Sequence, residues 1–170
     1  MNSRLRQLQE ALASSIEGMS PEEMSRSLKG KWSVAQVLEH LYLTYSGTVK
    51  GCERCLEMGK PLADSPTLRQ RIKVMVTVRL GYMPGGQTAP ERSRPKGLPP
   101  EKVLAEIGTR MATMDELLGQ CEARYGQRTN LMNHPILGPL TGRQWRKFHW
   151  VHGCHHLKQI RALRRRLDAE

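Results

Sequence analysis

His149-Trp150-Val151-His152-Gly153-Cys154-His155-His156-Leu157-Lys158-Gln159 holds four of the chain's six histidines. It lies within a pattern opened by Thr141, where Gln144 three residues on completes a capping box, a helix-start signature. That start predicts a final helix from about Gly142 to Leu167. On a helix each residue turns by about 100°, so His152 and His156 stand one above the other on one face. Trp145, Phe148, Gln159 and Leu163 extend the same face, so the pair points into an apolar interior. His149 and His155 flank that line on opposite sides.

Outward from this stretch, further helical stripes follow. Leu5, Leu8, Leu12, Ile16 and Met19 recur every three or four residues and predict a helix over about 3–18. Ser20-Pro21-Glu22-Glu23 reads as a cap with Pro at the first helical position. Ser33 and Gln36 form a second capping box, opening a helix to about Met58 with Gly59 as its left-handed stop. Its inner face carries Val34, Val37, Leu38, Leu41, Tyr45 and Thr48, with His40 beside it. Pro66 to about Val78 reads as a helix whose stripe is Leu68, Ile72, Met75 and Val76. Pro100 opens a helix through Val103, Ile107, Met111, Met114, Leu117, Leu118 and Cys121 to about Tyr125, stopped by Gly126. The stretch 81–100, rich in Pro and Gly (Pro84, Gly85 and Gly86 among them), reads as a long loop: a flap over a pocket or a solvated excursion. The segment leading to His134-Pro135 reads as a polar link, and no strand is expected. Four long amphipathic helices imply an all-α protein, one domain over residues 1–170, built as a four-helix bundle.

Composition narrows the function. The length of 170 residues suffices for a core without disulfides. No apolar run suits a membrane span, and the polar start Met1-Asn2-Ser3-Arg4-Leu5-Arg6 has no signal core, so a cytoplasmic protein is expected. Of the four cysteines, Cys52 and Cys55 have CxxC spacing but sit mid-helix with no second pair; they read as reduced core thiols. The net charge of +11 raises nucleic acid as a partner. The charge is dispersed and the aromatics are few, so nucleic-acid binding ranks below a small-molecule role.

An i, i+4 imidazole pair can reach one ion, as in HExxH helices. A third ligand has to come from elsewhere, and His40 and His134 are the histidines that remain. His40, facing the core from another helix, would complete a three-histidine site with positions left open for water or substrate, the arrangement of a catalytic ion. Imidazole suits zinc, nickel, iron and copper. The alternative is a set of core histidines satisfied by hydrogen bonds. His134, Gln159, His155 and His149 are candidate pocket-lining residues, with a place behind the ligands or a solvent-facing position the alternatives for His149. Glu39, about 100° round the helix from His40, reads as a solvated carboxylate.

Trp32-Ser33-x-x-Gln36-x-x-x-His40 and the later His152-x-x-His155-His156-Leu157-x-Gln159 together resemble the DinB-like (DinB/YfiT-like) superfamily. The segment His134-Pro135-Ile136-Leu137-Gly138-Pro139-Leu140-Thr141, followed by Gln144-Trp145, is similar to an uncharacterised branch of it. The resemblance spans about residues 5–165. It implies an up-down-down-up bundle and a metal site at His40, His152 and His156, with His155 accompanying but not ligating. It also implies a zinc, nickel or iron cofactor and a homodimer. The activity implied is S-transfer with a low-molecular-weight thiol, or metal-dependent hydrolysis, on a small molecule.

Overall fold

In the computed structural model, residues 1–28, 30–83 and 88–169 are described. Six α-helices carry the chain: α1 (Ser3–Ile16), α2 (Pro21–Ser25), α3 (Val34–Glu57), α4 (Leu68–Val74), α5 (Pro100–Tyr125) and α6 (Gly142–Leu167). A π-helical turn, Met75–Arg79, continues α4, and a short 3-10 turn spans Glu91–Ser93. The expected starts form as written. Ser20, Ser33 and Thr141 each accept from the third amide of their helix while Glu23, Gln36 and Gln144 reach back to the cap amide. Thr67 and Gln70 add another such box at the start of α4. Gly59 and Gly126 take positive φ, 67° and 96°, where α3 and α5 end.

Two readings are corrected. The link before α6 is a hairpin: β1 (Asn130–His134) pairs antiparallel with β2 (Gly138–Thr141), His134 opposite Gly138. Its strands are too short, and too interrupted by Pro139, for period-two alternation to show. The π turn is where α4 departs from expectation. Leu68, Ile72 and Met75 are exposed, and Val74, Thr77 and Val78 face inwards instead. Within the 81–100 stretch, residues 84–87, including Pro84, Gly85 and Gly86, lie outside the described residues.

The long helices share one apolar core. α3 lies along α5 and α1 along α6, while α6 also touches α3, α5, β2 and the π turn. Arg146 of α6 ties it to α5 through Asp115 and Glu122. Buried Cys52, Cys55 and Cys121 are free thiols between α3 and α5; burial pushes all three up from the ordinary thiol range, so they stay protonated. Among the described residues, no helix is long and apolar enough to cross a membrane.

α1 and α6 approach closely at Gly153, where any Cβ would run into the Leu8 side chain. Gly153→Ala should therefore lower unfolding free energy by about 1–3 kcal/mol through overpacking, read from urea denaturation. Combined with Leu8→Ala, the total loss should be smaller than the sum of the two single losses; strictly additive losses would mean that the two residues do not collide.

Candidate metal centre

The Ser33 capping box fixes the start of α3 and thereby sets His40 in its second turn, facing α6. His152 and His156 occupy adjacent turns of α6. All three imidazoles are buried, and their Nε2 atoms converge: His40 to His152 is 3.1 Å and His156 to His152 is 3.0 Å. Two nitrogens bonded to one ion at about 2.1 Å lie roughly 3–3.4 Å apart, so the spacing fits a shared ligand position. These three residues form the group that could hold a metal ion among the described residues.

Proton counting shows which nitrogens are free to hold a cation. A neutral imidazole carries one N–H. His40 Nδ1 donates to the Ser93 carbonyl at 2.7 Å, and His156 Nδ1 donates to Gln159 Oε1 at 2.9 Å. Both Nε2 atoms are thus bare lone pairs aimed at the centre, as oriented ligands require. His152 has only one proton to share between that centre and its own Nδ1, which is buried without a partner. Protonating the cluster is resisted too. Burial lowers the affinity of all three rings for protons, and their mutual repulsion adds to this at His152 and His156; His156 is brought down to about 3. Three neutral rings with converging nitrogens could hold a metal ion.

Glu39 is not solvated, contrary to the sequence reading. It is only 2% exposed, and its carboxylate accepts from the amides of Lys96 (2.6 Å) and Gly97 (3.1 Å). It straps the 88–98 segment to α3, and that segment supplies the Ser93 carbonyl to His40. Sequence alone could not place a backbone partner 57 residues away.

The remaining candidates divide. His134, His155 and Gln159 line a cleft of about 2100 Å³ that leads to the triad. His134 also closes the hairpin turn, its Nδ1 accepting from the amides of Ile136 and Leu137 at 3.1 Å. Its ring packs edge-on against Phe148. His149 does not line the cleft and does not face solvent. It is fully buried behind the triad, sharing a 2.9 Å hydrogen bond with Thr48 Oγ1 and lying against Tyr45 and Trp145.

Two expectations follow for this region. Glu39→Gln turns one amide acceptor into a donor facing an N–H. Metal affinity should fall about tenfold through a loosened Ser93 carbonyl, measured by competition with a chelator; unchanged affinity would remove Glu39 from the site. The second concerns acid. Burial lowers His134 to about 4 and His149 to about 3, from 6.5. The unfolded chain therefore binds more protons between those limits, and stability falls as pH drops from 6.5 towards 4. In metal-free protein the urea midpoint should decline over that window, and a flat midpoint would show that these rings are already charged in the fold.

No curated protein matches the chain, and no solved structure does. A family model matches residues 2–162, which is nearly all of it. The chain belongs to the family described as "Protein of unknown function (DUF1569)".

Proposed function

We propose that this chain is a metal-dependent enzyme acting on a small molecule, an S-transferase in which His40, His152 and His156 hold a divalent ion. The observation that carries the reading is the convergence of three Nε2 atoms, two of them stripped of protons by carbonyl acceptors. Zinc and nickel suit such imidazole donors best, with iron next. The chemistry an ion supplies here is acidification of a thiol or water and its orientation towards an electrophile.

The chain's own residues favour a thiol. Among the described residues, no Asp or Glu lines the cleft, and both Glu39 oxygens are committed to amides. With no carboxylate to relay protons, a thiol of pKa about 8.5 needs far less help to ionise than water. Hydrolysis is the second reading; His155, on the cleft wall and kept neutral by burial and by Lys158, would be its base. The proposal includes the resemblance drawn from sequence: a DinB-like up-down-down-up bundle of α1, α3, α5 and α6, working as a cytoplasmic homodimer with a low-molecular-weight thiol.

Elemental analysis of untagged protein tests the centre directly. The parent should carry about one zinc, nickel or iron per chain, and His152→Ala should lose it while keeping its helical circular dichroism. Metal content that is low in the parent and unchanged in the variant would sink the proposal.

A further inference from the structure

The cleft over the triad has a one-sided charge. Eight Lys and Arg residues line it and, among the described residues, no Asp or Glu does, although the chain has 16 acidic residues to place. Among the described residues none of the eight is in an ion pair; the described ion pairs lie elsewhere, at Asp115 and Glu122 with Arg146 and the N-terminus. Several adjoin, in sequence, residues that touch the triad. Arg92 and Arg94 flank Ser93, whose carbonyl holds His40. Lys31 adjoins Trp32, which lies 5.3 Å from the His40 ring. Lys158 adjoins Gln159, the acceptor of His156.

Like charges around a concavity repel one another and focus a field that concentrates anions. Neutral imidazole ligands would leave an ion's full 2+ charge uncompensated at the cleft floor, reinforcing the rim. We infer that the cleft takes a small-molecule polyanion, a substrate with two or more carboxylate or phosphate groups held by Arg92, Arg94, Lys31 and Lys158 while its reactive group reaches the triad. This rests on the metal-centre reading and adds the substrate class to it. The cations ring one concavity, which fits a compact anion better than a duplex.

Calorimetric titration of metal-loaded protein with tricarballylate, its neutral trimethyl ester, inorganic phosphate and a short DNA duplex tests the inference. Tricarballylate or phosphate should bind, and tricarballylate about tenfold or more tighter than its ester, weakening steeply as salt rises. Two separate double variants, Arg92→Ala with Arg94→Ala and Lys31→Ala with Lys158→Ala, should each weaken the anion about fivefold or more, with metal content unchanged. The relative strength of tricarballylate and phosphate identifies the anionic group. Equal binding of acid and ester, no binding of either anion, variants that bind like the parent, or tighter binding of the duplex would each overturn it. A full metal complement without anion binding sinks this inference alone. Anion binding by a protein whose metal content His152→Ala leaves unchanged sinks the metal centre and leaves the cationic cleft standing.

Discussion

Two carbonyl oxygens, on Ser93 and Gln159, decide what the interior of this protein can hold. Each takes the single proton of a neutral imidazole on its outer nitrogen and so turns a bare lone pair inwards. Burial keeps the rings from escaping that arrangement by becoming charged. The rest of the chain around the site maintains this geometry. The capping box of α3 sets the height of His40, Glu39 anchors the strap that carries Ser93, and α6 spaces His152, His156 and Gln159 along one face.

Such a core costs stability, because a buried polar nitrogen without a partner is unfavourable. His152 Nδ1 and His149 Nδ1 are both left so. The cost is offset by an apolar core spanning all the long helices, while Arg146, Asp115 and Glu122 have their charges paired in place. Tyr45 Oη, Ser46 Oγ and Trp145 Nε1 are buried without a partner as well.

Much of this was legible in the residues. The span of α6 was read from Thr141, Gln144 and the apolar stripe, and the three histidines brought together are those that spacing and resemblance had joined. Contacts made by distant backbone were not legible. Glu39 looked solvated because its partners are amides of residues 96 and 97, and amides leave no mark in side-chain pattern. His149 could be placed behind the ligands or in solvent because one stripe does not tell what covers its flanks; α6 is covered by α1, α3 and α5 at once, and His149 is buried. The hairpin stayed hidden because its strands of five and four residues are shorter than the periodicity test can use. The α4 stripe misled because amphipathicity reports a face and not what covers it; Leu68 and Ile72 face outwards.

The span between His40 and His152 is 112 residues. During synthesis, α3 exists long before it has anything to coordinate with. Until α6 docks, His40 is a lone imidazole and no ion can be held tightly; contacts this non-local form late. An ion held by the three histidines would have to wait until α6 has docked against α3, and it would reach them through the cleft that the Lys and Arg side chains line. A free divalent cation meets repulsion at that mouth, whereas one escorted by an anionic chelator does not.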